Sequence, residues 1–231
     1  MLLSEKIKAF NRQLDFTDAL PAGIKVMNPF RESETVLNIS DQFYDRFYAD
    51  ERPRHLILGI NPGRLGAGAT GIPFTDTKRL KSDCNIPFEG LHTHEPSSVF
   101  VYEVIRAMGG AEAFYDRFFI NSVSPLGFTI RNDKGRDVNY NYYDSKELTK
   151  ASLPFIRKSM TQLIELGMET DVVYCLGTGK NAKFLIDFNK EAKLFNKVEP
   201  LEHPRYVVQY KSKKMPEYVA KFVRILNQDT I

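Results

Sequence analysis

Apolar residues recur along this chain at two periods, and the alternation between those periods lays out its elements. Residues 3–15 read as an amphipathic helix. Residues 35–48 read as a looser one, in which Phe43, Tyr44, Phe47 and Tyr48 fall at the spacing of core packing. Between them, Pro21-Ala22-Gly23-Ile24 and Met27-Asn28-Pro29-Phe30 mark turns. A short apolar run at 55–60 reads as a buried strand, and further strands are predicted at 117–123, 171–177 and 197–201. Helices are predicted at 97–108, closed by Gly109-Gly110, then at 145–167, 182–189 and 215–227, with a bend expected at Pro154. Residues 78–96 show no clear period, and 131–143 are polar and turn-rich. Strands alternating with helices predict an α/β fold with a mainly parallel four-stranded central sheet and helices on both faces. A single domain over residues 1–231 is expected, with residues 1–50 as a helical extension packed on it.

Composition narrows this picture without changing it. At 231 residues, 42% of them apolar, the chain suits one well-packed globular domain. No run approaches the roughly eighteen apolar residues of a membrane span. Charges interrupt residues 1–10, which excludes a signal peptide. A net charge of +3 says little about nucleic acid until its distribution is known. Cys84 and Cys175 lie far apart and match no ligand spacing. A reduced, cytoplasmic protein is expected, without disulfide, metal cluster or cofactor. His92 and His94, with Cys84 and Glu95 as conceivable further ligands, fit no metal motif and read as solvated loop histidines.

The chemistry concentrates after the strand at 55–60. From Pro62 to Phe74 the chain carries four glycines and two prolines, so it continues neither as strand nor as helix. Glycines let a backbone pass close to a ligand, and a loop at the carboxyl end of a strand is where open α/β sheets place their sites. Asn61 stands at the strand exit.

That segment resembles the first catalytic motif of the uracil-DNA glycosylase superfamily, and is most like that of its single-strand-selective monofunctional family. The pattern G-x-N-P-G, a further Gly, then T-G-x-P-F is met at Gly59, Asn61, Pro62, Gly63, Gly66, Thr70, Gly71, Pro73 and Phe74 without insertion. The second family motif, a His-Pro after a late strand, is met by Glu202-His203-Pro204-Arg205. The resemblance covers roughly residues 52–226 and leaves the first fifty unsupported. With two cysteines the chain stands apart from the iron–sulfur branches, which need four.

The resemblance implies a monofunctional DNA glycosylase that starts base excision repair. Such an enzyme flips a base into a dry pocket, brings water to the sugar carbon and stabilises the departing anion. Carried over, Asn61 orients the water, His203 donates to the anionic base oxygen, and backbone N–H groups around Gly63 and Arg64 help read the base. The chain departs from the pattern at three places. Ser122 holds the place of the base-reading Asn, with Asn121 adjacent, and a hydroxyl cannot make a paired donor–acceptor contact. A wider pocket follows, admitting xanthine or hypoxanthine beside uracil. The stacking aromatic is replaced by Leu65, which leaves stacking to Phe74. After His203-Pro204 the wedge into the duplex would be Arg205 or Tyr206.

DNA, single- or double-stranded, is the expected partner, met by a monomer. Thr178-Gly179-Lys180 opens a helix with free amides and a cation but is not a Walker A loop. Lys211, Lys213 and Lys214 form the densest basic run. Two other readings stay open on the residues alone: a phosphate- or nucleotide-binding hydrolase, and a non-catalytic binder of damaged DNA.

Overall fold

The computed structural model describes residues 1–87, 90 and 92–228, so Phe88, Glu89 and Leu91 within the aperiodic stretch, and the last three residues, lie outside the described residues. Helix α1 (Leu3–Gln13) buries Leu3, Ile7 and Phe10. Its first turn is held by Leu3 N–H to the Asp50 carbonyl at 2.6 Å and Ser4 N–H to the Tyr48 carbonyl at 2.8 Å. Strand β1 (Ile24–Met27) follows where turns were expected, and then the single-turn helix α2 (Pro29–Glu32). Helix α3 (Glu34–Phe47) is capped by the Ser33 hydroxyl, which accepts from Val36 N–H at 3.3 Å. Its buried face carries Phe43, Tyr44 and Phe47, as the aromatic spacing predicted, and Tyr48 donates to the Phe118 carbonyl at 2.9 Å.

Strand β2 (Arg54–Gly59) runs into the glycine loop, which holds the one-turn helix α4 (Ala67–Thr70). Helix α5 (Thr77–Ser82) organises the start of the aperiodic stretch because the Asp76 carboxylate accepts from Arg79 N–H at 3.0 Å. Helices α6 (Pro96–Ala107) and α7 (Ala111–Tyr115) lead to strand β3 (Phe118–Ser122). The polar segment expected to be turns contributes part of strand β4 (Gly127–Arg131) and all of β5 (Asp137–Tyr140). Helix α8 (Lys146–Glu165) runs unbroken as an element through Pro154. Then come β6 (Met168–Leu176), α9 (Lys180–Ala192), β7 (Lys197–Leu201), α10 (Pro204–Tyr210) and α11 (Met215–Gln228). Sequence periodicity left 204–210 unassigned; Pro204 at its first position and His203 as cap make it a helix.

The central sheet has the order β3-β2-β6-β7, and every neighbouring pair is parallel. β2, β3 and the second half of β6 are buried on both faces, as strands covered on both sides require, while the edge strand β7 is mostly half-exposed. Register brings the carboxyl ends level: Gly59 pairs with Ser122, and Leu176 with Leu201. Outgoing connections leave β2 towards β3 and β6 towards β7, away from each other. The loops therefore part between β2 and β6, where open sheets leave a crevice. A second, antiparallel sheet of order β1-β4-β5 was not foreseen, and it lies beside that crevice through Asn139 and Tyr140. One continuous apolar core joins α1, α3, both sides of the central sheet and α11.

Candidate active site

A cleft of about 280 Å³ opens at the parted loops. Asn61, Gly63 and Phe74 enter it from the glycine loop, Ser122 from the end of β3, Glu95 and Ser97 from the start of α6, Asn139 and Asn141 from the end of β5, and His203 and Arg205 from the start of α10. Residues far apart in sequence meet here because β2, β3 and β7 end on one edge, with the start of α6 and the end of β5 beside them.

The Asn61 carboxamide is fixed by the chain after β5. Its Oδ1 accepts from Tyr142 N–H at 3.1 Å, and its Nδ2 donates to the Tyr140 carbonyl at 3.3 Å. A carboxamide oxygen has two lone pairs, so one acceptor site remains for a water. Tyr142 is itself tied down: its hydroxyl donates to Asn181 Oδ1 at 2.8 Å, while Asn181 Nδ2 donates to the Leu176 carbonyl at 3.1 Å. That knot is almost wholly buried and joins β6, α9 and the loop that grips Asn61.

His203 caps α10, its Nδ1 accepting from Arg205 N–H at 3.2 Å. Burial, reinforced by the positive charge of Arg205, pushes its pKa down to about 4. At neutral pH the ring is therefore uncharged, and since Nδ1 accepts, the proton sits on Nε2 as a donor. The Phe74 ring lies 6.1 Å from it, centroid to centroid, on a residue held in the left-handed region at φ 55°. A Cβ on Gly59 would come within 2.9 Å of that ring and 3.5 Å of Ser122 Oγ, which is why glycine ends β2. Backbone strain at a non-glycine residue gathers at working sites, and Phe74 fits that pattern.

Glu95 lines the cleft with its carboxyl directly over Gly66: a Cβ there would sit 2.5 Å from Glu95 Cδ and 2.8 Å from Oε1. Its Oε2 is buried with no hydrogen-bond partner. Burial, and behind it the nearby charge of Asp76, push the carboxyl up to about 7 against the opposing pull of Arg205.

Other sequence-predicted residues fall around the cleft in different ways. Arg64 lies outside its lining. Its N–H donates to Asn139 Oδ1 at 3.0 Å, and its guanidinium reaches the Asp137 carbonyl. Leu65 is 53% exposed and also outside the lining, so the loop turns it away from the cavity. Asn121 points to the other face of the sheet, lining a small cavity with Asn11 and Tyr44, while its neighbour Ser122 faces the cleft. Thr178, Gly179, Lys180 and Tyr206 line an adjoining cleft of about 310 Å³ that shares His203. Lys211 Nζ stands 5.9 Å from the Tyr206 ring; Lys213 and Lys214 are exposed on the next turn and line neither cleft. Sequence reasoning missed Glu95, Asn139, Tyr142 and Asn181 as parts of the site. The polar residues of β5 carried no motif that would have found them. His94 lies 3.5 Å from the Asp76 carboxylate. Burial pushes both Cys84 and Cys175 up to about 12, leaving protonated thiols.

The parallel sheet thus brings an amide and a neutral imidazole from separate loop exits to the wall of one cleft. The family model of the uracil DNA glycosylase superfamily matches residues 46–227, and the chain belongs to that superfamily. The crystal structure of wild-type SMUG2 from Pedobacter heparinus is similar at 50% identity, with a TM-score of 0.96 over 98% of this chain and 97% of that one. No curated protein sequence matches the chain. This is a DNA glycosylase, an enzyme of base excision repair whose substrate is DNA.

Proposed function

We propose that the enzyme is monofunctional and releases deaminated bases, uracil and with it xanthine or hypoxanthine, by water attack at the sugar. The observation that carries this reading is one cleft lined together by Asn61, His203, Phe74 and a Ser122 that replaces a carboxamide. A flipped base would lie against the Phe74 ring, with the Ser122 hydroxyl at its edge. The free lone pair of Asn61 Oδ1 holds the attacking water. As the water oxygen bonds to the anomeric carbon, the glycosidic bond breaks with its electron pair on the base. The surplus proton of the water passes to solvent or to the departing base. His203 Nε2–H donates to a carbonyl of that base as negative charge develops, the oxyanion-hole role. Because the ring is neutral, it stabilises the charge without giving up its proton. Neither family motif carries a lysine amine, so the nucleophile is water. Tyr206 or Arg205 would fill the gap left by the flipped base, and the helix start at Thr178-Gly179-Lys180 would hold phosphate.

Single-turnover excision on oligonucleotides carrying uracil, xanthine or hypoxanthine tests this directly. Strand breakage by the wild-type enzyme should appear only after alkali, since water attack leaves an intact abasic site. Asn61→Ala should lower the rate by about a hundredfold with DNA binding little changed, because the group acts in positioning rather than in affinity. Tight binding without excision by the wild-type protein would point instead to a non-catalytic reader of damage.

A further inference from the structure

We propose that Glu95 is a base-reading residue whose neutral carboxylic acid supplies the donor–acceptor pair that Ser122 lacks, recognising bases with an N–H beside a carbonyl. The inference rests on the base-excision reading above and names what selects the base. A buried carboxyl normally finds partners for both oxygens. Here Oε2 has none, although the carboxyl lines the cleft that holds Asn61 and His203. The three atoms nearest the space over Gly66 all belong to this carboxyl, so the glycine of the loop is matched to Glu95. Its backbone is fixed as well, since Glu95 N–H donates to Asp76 Oδ2 at 2.9 Å. The carboxyl thus lies on the cleft wall with its Oε2 against Gly66, desolvated and without a protein partner, which leaves it available to a ligand.

Which protonation state acts follows from chemistry. A protonated carboxyl is planar and carries one donor and one acceptor side by side, as a carboxamide does. Turned so that Oε2 leaves Gly66 for the cleft, it can pair twice with the N–H and C=O of uracil, xanthine or hypoxanthine. An ionised carboxyl offers only acceptors and repels both a base carbonyl and a base leaving as an anion. Asp76 disfavours the ionised form and Arg205 favours it; His94 and Arg79 both lie 3.5 Å or less from Asp76, and His203 is neutral. The balance puts the acid form near half population at about pH 7. The wild-type rate should then fall as pH rises above about 7, approaching tenfold per pH unit.

Glu95→Gln decides the matter, because glutamine is permanently neutral and nearly the same shape. Single-turnover excision of uracil and xanthine should stay within about threefold of wild type at pH 6, and the alkaline fall should disappear. Glu95→Leu, which keeps the packing and removes the pair, should lose roughly tenfold to a hundredfold at every pH, the size of a lost bidentate contact. Binding of oligonucleotides carrying non-cleavable 2′-fluoro-deoxyuridine should show the same pattern without chemistry. A Gln variant that keeps the alkaline fall, or a Leu variant equal to Gln in both assays, would overturn the role of Glu95. Absence of excision in the wild type alongside intact pH-dependent binding would instead count against water attack and leave Glu95 as reader.

Discussion

Ser122 presents a hydroxyl to the cleft where a carboxamide would hold a pyrimidine edge more firmly, and substrate choice should turn on that difference. Ser122→Asn adds a paired contact to uracil and narrows the space for a purine. Preference for uracil over xanthine should rise by one to two powers of ten if the pair contributes roughly 1–3 kcal/mol. Excision rates on both bases, measured for this variant and for Asn121→Ala, check the assignment. Loss of uracil activity in Asn121→Ala alone would place the reader on the wrong residue. At this scale the motifs made the places of Asn61 and His203 on the cleft wall legible, because both stand where a strand ends. Glu95 was visible only as a conceivable metal ligand beside two histidines. Its role depends on what burial does to its carboxyl, and burial is a property of the folded chain. Leu65 shows the converse: four residues from Asn61 by count, it is turned outward because Gly66 and the short α4 redirect the loop.

Among the elements, α10 and the turn behind it carry the exposed chemistry. Tyr206 and Tyr210 stand 42% and 66% exposed on one short helix, with Lys211, Lys213 and Lys214 following. Exposed aromatics next to cations suit stacking on bases and contact with phosphates. Replacing the three lysines by alanine should weaken binding at every sequence and flatten the salt dependence by about 0.7–0.9 log unit per lost phosphate contact. Titrations from low to moderate salt measure this, and an unchanged slope would mean the run faces away from DNA. β2, β3 and the second half of β6 were legible because they are apolar, buried runs. The β1-β4-β5 sheet was not, since two of its strands have four residues each and β5 is polar or partly exposed throughout. Yet this sheet grips the Asn61 amide, through Tyr140 and the Tyr142 that follows it.

For the molecule as a whole, we propose that the first fifty residues are a layer of the same domain. Asp50 sits where that layer meets the sheet: its carboxylate accepts from the wholly buried Arg54 at 2.9 Å, and its carbonyl accepts from α1 at 2.6 Å. Burial alone would raise the Asp50 pKa, but hydrogen bonds from Arg54 and Arg52 hold it at about 2. The folded value lies below the unfolded one, so this stabilisation is complete above about pH 4 and is lost as pH falls towards 2. Asp50→Ala should cost about 2 kcal/mol at pH 7, less than for a fully buried pair because the carboxylate still meets water. Denaturant unfolding at pH 7 and pH 3 should show the gap between variant and wild type shrinking at the lower value.

The strand order has a consequence for the chain while it is being made. Asn61 leaves the ribosome early, just after a central strand, whereas His203 follows β7, an edge strand paired with β6. The partners of the Asn61 amide lie at residues 140 and 142 and are braced from Asn181, so a chain short of residue 181 lacks that brace as well as His203. On the reading proposed above, the site is complete only when nearly the whole chain has been made. An enzyme that severs bases from the genome is in this way unarmed until its own assembly is nearly finished.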